Sequence, residues 1–225
     1  MDKDLLNANL MSLFTKSEKE LPITDESNFL MGEKGEIRRY IGVSKEVRIP
    51  NEIAGIRVVS IGKQAFYKKG IKVLTLPTGL KVIKDEAFEF NELEEVNIPK
   101  LVKVIGNRSF ANNNIEVLTL PDHVKSLGKW CFAMNKIKAV KILGTVKEIS
   151  YCSFYCNKLE ELEIESGVVK IGSYAFGNNL LKEVRIPRSI KELEGKTFMY
   201  NPLERLTIHK SLIIDLDTST KTKTE

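Results

Sequence analysis

The chain has 225 residues, 42% of them hydrophobic, enough to build one elongated domain. Its 35 basic and 30 acidic residues are interspersed and leave a net charge of +5, which argues against the concentrated basic face of a nucleic-acid protein. No apolar run reaches transmembrane length, so no membrane insertion is expected, and three cysteines do not make a disulfide framework.

Residues 1–36 read as a helical cap and lead-in. Leu6, Leu10, Leu13 and Phe14 fall at helical spacing, Asp2 and Asp4 sit at the favourable end of the helix dipole, and Pro22 stops the helix. Such a helix covers the first coil of the repeat region or, alternatively, binds a partner. Charged residues follow Met1 directly, so no export segment is read there.

From 37 to 211 one unit recurs about seven times. Phe66, Phe88, Phe110, Phe132, Phe154, Phe176 and Phe198 stand 22 residues apart without a slip, which is the signature of a solenoid. Eight and ten residues after each Phe come aliphatics, as at Leu74 and Leu76 or Val96 and Ile98, alternating with polar residues. This period of two predicts a short strand with one face inward. Further apolar columns lie five after Phe (Ile71, Leu93), eight before (Val58, Leu80) and five before (Ile61, Ile83). Gly often follows the last of these, as at Gly106 and Gly128, where a sharp turn is expected. A small residue precedes each Phe, from Ala65 to Thr197, leaving room for the ring. One turn of chain cannot bury enough apolar surface to fold alone, so stability has to come from stacking.

Three residues after Phe stands Asn91, Asn113, Asn135, Asn157, Asn179 or Asn201, and only Lys69 breaks the column. Stacked at strand spacing, these amides are expected to form a ladder that bonds turn backbone. A glycan or catalytic role is the alternative for this column. Pro50, Pro77, Pro99, Pro121 and Pro187 end their strands. The first coil is longer than the rest: Ile49 to Leu76 spans 27 residues against 22 later.

The outward positions carry the candidate sites. Two residues before Phe the slot holds Gln64, Glu86 and Arg108, then Trp130, Cys152 and Tyr174, with Tyr151 and Tyr155 alongside. Surface Trp and Tyr supply rigid contact area suited to a binding hot spot or to stacking on sugars. The alternative is that these rings pack on one another and shield the corner. On the strand face, Glu161, Glu163 and Glu183 form an acidic stretch able to receive a basic segment, unless they are simply solvated. Lys81, Lys103, Lys125, Lys147 and Lys191, seven before Phe, form a basic row that reads as a solvated edge or as a weak site for an anionic surface. Cys131 fills the small inward slot, while Cys152 and Cys156 flank Phe154 without further metal ligands. No catalytic residue, metal or cofactor is expected, because no nucleophile comes with a base and the two histidines, His123 and His209, stand apart. Residues 212–225 are polar, and disorder is expected there.

The fold expected is an α/β-type repeat solenoid, mainly β and irregular. The unit L-x-x-V-x-I-P-x-x-V-x-x-I-G-x-x-A-F-x-x-N, as from Leu93 to Asn113 with Ser109 for Ala, resembles the leucine-rich repeats of the BspA-like, treponemal-type class. The match covers 47–208, and Gly35 to Gly42 with Val47 to Val58 looks like the lead-in of that class. The resemblance implies a right-handed superhelix of short parallel strands and a non-catalytic protein-interaction module. It also implies a bacterial surface protein whose ligand is a protein of the host matrix or of a cell surface. An intracellular scaffold and a glycan-binding protein are the other functions weighed. The absence of an export segment sets localisation by sequence, cytoplasmic, against localisation by resemblance, surface or secreted. The residues of common leucine-rich repeat receptors fit less well, because Gly79, Leu101, His123, Thr145, Gly167 and Ser189 stand where those carry Asn.

Overall fold

A computed structural model of the chain describes residues 21–209, 212 and 222–224. The expected N-terminal helix with Leu6, Leu10, Leu13 and Phe14 lies outside the described residues. What the structure describes of the lead-in is an antiparallel hairpin, β1 (Phe29–Met31) and β2 (Glu36–Tyr40), preceded and joined by 3-10 turns at Glu26–Asn28 and Glu33–Gly35. No α-helix occurs among the described residues.

From β2 onward the chain coils with a parallel strand ladder on each of two sides. One ladder is the predicted one: Glu46–Arg48 pairs with Val73–Thr75, Glu95–Asn97 with Val117–Thr119, Ala139–Ile142 with Glu161–Ile164, and Glu183–Arg185 with Arg205–Ile208. The other was not predicted. Two-residue strands from Ser60–Ile61 through Val82–Ile83 and Val104–Ile105 to Glu192–Leu193 join the hairpin in a nine-stranded sheet. A strand of two residues is too short to show an alternating pattern, so only its inward residue was visible, as an apolar column.

Between the ladders the six apolar columns form one continuous core; Leu162 and Leu203 are partly covered and the other members of the columns are buried. The seven Phe rings stack face to face with centroids 4.9–5.7 Å apart. Tyr40 adds an eighth ring, 5.2 Å from Phe66, and Phe29 leans over the end of the stack. Strand spacing of about 4.7–4.9 Å therefore sets the ring spacing, and each ring buries both faces only because it has neighbours. The longer first coil takes up its extra length in a small hairpin, Glu52–Ile53 with Ile56–Arg57, turning at Ala54 and Gly55.

The Asn column lies inside this wall. Asn135 Oδ1 accepts from the Ile115 amide of the preceding coil (3.0 Å), and Nδ2 donates to the carbonyls of Phe110, Phe132 and Ala133 (2.9–3.2 Å). Asn91, Asn113, Asn157, Asn179 and Asn201 repeat the first three of these bonds. Each amide thus satisfies backbone groups that the strand ladders leave unpaired.

One expectation is sharpened and another needs correction. At Gly106 and Gly128 the expected turn does begin, their carbonyls accepting from the amides of Ser109 and Cys131, but what calls for glycine there is close approach. Neither has a left-handed φ, and a Cβ would lie 2.6 Å from the Asp85 amide nitrogen or 2.5 Å from that of Asn107, on the coil below. In the tail expected to be disordered, Leu212 is buried and Thr222–Thr224 forms a strand on Arg205–Ile208. The last strand of a solenoid presents unpaired amides and carbonyls, which an extended β-branched segment can satisfy.

Candidate functional site

The corner bearing each Phe is built from two successive turns. In the fourth full coil, the amide of Cys131 donates to the Gly128 carbonyl and that of Ala133 to the Trp130 carbonyl. The residues two before and two after Phe adopt left-handed backbone, as at Trp130 (φ 62) and Met134 (φ 57). That alternation turns the amides of Trp130, Phe132 and Met134 toward the next coil, where they donate to the carbonyls of Tyr151, Ser153 and Tyr155 (2.8–3.1 Å). Left-handed backbone costs a non-glycine residue about 1–2 kcal/mol, least for Asn, which occupies the second slot at Asn112 and Asn178. The bulky side chains in these slots are therefore placed against local preference.

Four of the sequence-predicted residues meet here. Trp130 contacts Tyr151 and Tyr155 edge-on, with centroids 5.8 and 5.6 Å apart, and Tyr174 contacts the same two rings at 6.2 and 6.1 Å. The rings close a circuit across three coils. Cys152, read from sequence as an outward residue, is buried. It stands between Trp130 and Tyr174 in the slot series and is too short to reach the surface, so Tyr151 and Tyr155 fill the space above it. A hydrogen bond with Cys152 raises the Tyr151 phenol above its ordinary range, and burial raises the thiol of Cys152 and the phenol of Tyr155. Tyr151 remains 41% exposed, and Trp130, Tyr155 and Tyr174 are half-buried. The rings thus support one another and still present a surface.

The surface extends further than the sequence reading placed it. Phe90, Met134 and Tyr200 occupy the slot two after Phe and are 42%, 42% and 63% exposed. Tyr67 meets Phe90 edge-on at 5.8 Å, and the Lys68 ammonium lies 5.0 Å from the Phe90 ring centroid. Arg108 sits 5.2 Å over the Trp130 ring, held by Glu89 at 3.5 Å, and Lys196 caps Tyr174 at 5.9 Å. Burial pushes the Glu89 carboxyl up, against the opposing pull of Arg108. The signal for these residues was the column itself. Large apolar side chains recur there where Asn and Lys are the alternatives, but nothing in the sequence marks that slot as left-handed and outward.

The other candidates are placed differently. Glu163 pairs with Lys141 (3.2 Å), which also holds Glu165, and Glu183 pairs with Arg205. Of the acidic stretch only Glu161 has no cation partner among the described residues. Lys147 of the basic row donates to the carbonyls of Gly144 and Gly167, whereas Lys81, Lys103, Lys125 and Lys191 are exposed. Burial pushes the Cys131 thiol up to about 12, so it is unreactive packing. The described residues contain no cluster of three or more metal-ligating side chains and no helix long and apolar enough to cross a membrane.

A family described as BspA type leucine rich repeat region matches in six copies, over residues 59–182 and 147–219. Among solved structures, the leucine rich repeat protein of T. pallidum is 25% identical, with a TM-score of 0.55, over 69% of this chain and 88% of that one. A leucine-rich repeat protein from Bacteroides ovatus is 21% identical over 83% of this chain and 64% of that one (TM-score 0.40). A leucine rich cell surface protein from Faecalibacterium prausnitzii is 17% identical over 86% of this chain and 90% of that one (TM-score 0.38). No curated protein matches the chain.

Proposed function

The chain belongs to the family of BspA-type leucine-rich repeats, whose repeat suggests a protein-interaction module, and from that premise we infer a non-catalytic binding protein that docks a host-matrix or cell-surface protein on its aromatic corner. The observation that carries the reading is the row Phe90, Arg108, Trp130, Met134, Tyr151, Tyr174 and Tyr200. These are the residue types that interface cores favour, and most occupy left-handed slots where the fold itself would do better with Asn. The mechanism is rigid display. The buried Phe and Asn columns fix the coils, and the ring circuit holds Trp130 and its neighbours in place before any partner arrives, so little ordering cost remains at binding.

The test has two parts. Binding of the purified chain to matrix proteins and to intact cells is measured with and without Trp130→Ala and Arg108→Ala. We expect saturable binding that both variants weaken by about tenfold or more, as for aromatic and Arg hot spots. Binding that survives both variants rejects the corner. Protease shaving of intact source cells then decides location: removal before lysis supports adhesion, and full protection until lysis rejects it and moves the same surface to an intracellular protein partner. Binding to glycans alone would replace the protein partner by a carbohydrate.

A further inference from the structure

The corner begins in a cleft. Between the β1–β2 hairpin and the first full coil lies a hollow of about 720 Å³, lined by Arg38, Arg39, Lys63 and Lys69 and by no carboxylate. Lys63 stands 3.9 Å from Glu86, but Arg38, Arg39 and Lys69 form no ion pair among the described residues; the Lys69 ammonium lies only over the Tyr40 ring at 5.9 Å. Glu36 of β2 is engaged by Lys84, and Glu86 also accepts from Gln64. Like charges brought together without counter-charges favour an incoming anion.

Lys69 points to the same place independently. It is the one position of the Asn column where the amide is missing. Every Asn in the column bonds the backbone of the coil before it. At Lys69 the preceding turn is the one bearing Tyr40, and a cation lining the cleft replaces the structural amide.

The rest of the lining selects among anions. Leu30, 47% exposed, and Met31 and Tyr67 give the cleft an apolar wall that a sulfated sugar or a phosphate cannot cover. We propose that this cleft is a second binding site, which takes an extended acidic polypeptide segment carrying apolar side chains, laid in the hollow between the hairpin and the first full coil. Alternate side chains of that segment would meet the cations and the Leu30–Met31–Tyr67 wall. The site does not depend on Trp130 and stands or falls apart from the corner.

The test is fluorescence anisotropy of the full chain with a labelled peptide of alternating Glu and Val, against an alternating Lys and Val peptide and a sulfated oligosaccharide. We expect saturable, salt-sensitive binding of the acidic peptide only, weakened about tenfold when Arg38→Glu and Arg39→Glu are combined. Lys69→Asn restores the residue of the column, so its melting temperature should hold while its affinity falls several-fold. Trp130→Ala should bind the peptide as the native chain does. No saturable binding or equal affinity in the charge variants overturns the proposal, and preference for the sulfated oligosaccharide assigns the cleft to a polyanion instead.

Discussion

Phe132 and Trp130 are two residues apart on the same turn, yet they obey opposite rules. The inner side of that turn repeats through the coils: a buried ring on a stack of rings and, save at Lys69, an Asn whose amide bonds two coils at once. The outer side changes in every coil, from Gln64 and Lys68 through Trp130 and Met134 to Lys196 and Tyr200, on left-handed backbone throughout except at Lys196. A solenoid is stabilised by nearest-neighbour interfaces, so a change on the inner side damages two of them. A change on the outer side alters only the display. The comparison separates what the fold requires from what it leaves available for recognition.

Asn135→Asp should give the largest effect. A carboxylate accepts but does not donate, so the carbonyls of Phe110, Phe132 and Ala133 lose their donor and face a buried charge. Leaving buried groups unsatisfied costs about 1–3 kcal/mol each, and urea unfolding should show a loss of about 3 kcal/mol or more. Trp130→Ala, measured the same way, should cost clearly less. Equal losses would break the division between the two sides and make the ring circuit part of the framework.

Smaller effects sharpen the comparison. The slot before Phe carries a hydroxyl in three coils. Ser153 Oγ donates to the Ser150 carbonyl (2.7 Å) and Thr197 Oγ1 to that of Glu194 (2.7 Å), but Ser109 Oγ is buried with no partner among the described residues. Ala fills the same slot at Ala65, Ala87 and Ala175. Ser109→Ala should therefore raise stability by about 1 kcal/mol, through removal of an unsatisfied hydroxyl, and Ser153→Ala should lower it by a similar amount. A loss in both variants would mean that Ser109 has a partner after all. On the outer side, Tyr200→Asn should stabilise by about 0.5–1 kcal/mol, because the ring is exposed and Asn accepts the left-handed backbone more readily. Thermal unfolding decides it, and a destabilised variant would show that Tyr200 packs on the fold rather than being displayed by it.

The same division explains what the sequence could show. Burial imposes a period, so Phe66 to Phe198, the aliphatic columns and the Asn ladder were all legible by spacing. The strands at Ser60–Ile61 and its successors were not, because two residues cannot carry an alternation. Trp130, Tyr151, Tyr155 and Tyr174 were legible as a group only because aromatics are rare in outward slots. Phe90, Met134 and Tyr200 escaped because a left-handed residue without glycine leaves no mark in one sequence. The burial of Cys152 depended on the rings of Tyr151 and Tyr155 folding over it, a contact set by side-chain size in three coils at once. Lys69 stood out as a gap in the Asn column, but its meaning appeared only with β1 and β2 beside it, since their residues lie outside the 22-residue register.

The smallest effect lies where the two sides touch. Glu89 is buried, yet its partner Arg108 stands on the outer side over Trp130. Burial, the larger influence, raises the Glu89 carboxyl above its ordinary value, and Arg108 opposes it. A raised folded-state value means that the protonated form is favoured in the fold. The stability it contributes is complete below the ordinary glutamate range and is lost as pH rises through the raised value. Glu89→Gln mimics the protonated acid, so native chain and variant should have similar stability near pH 4. The variant should gain relative to the native chain as pH rises from the ordinary glutamate range through the raised value and gain no more above it, and urea unfolding at a series of pH values reads this difference directly. If the native chain gains instead, the charge of Arg108 outweighs burial. Glu89 would then hold Arg108 on Trp130 by attraction between full charges, and the aromatic corner would be anchored to the core through an ion pair rather than resting on it.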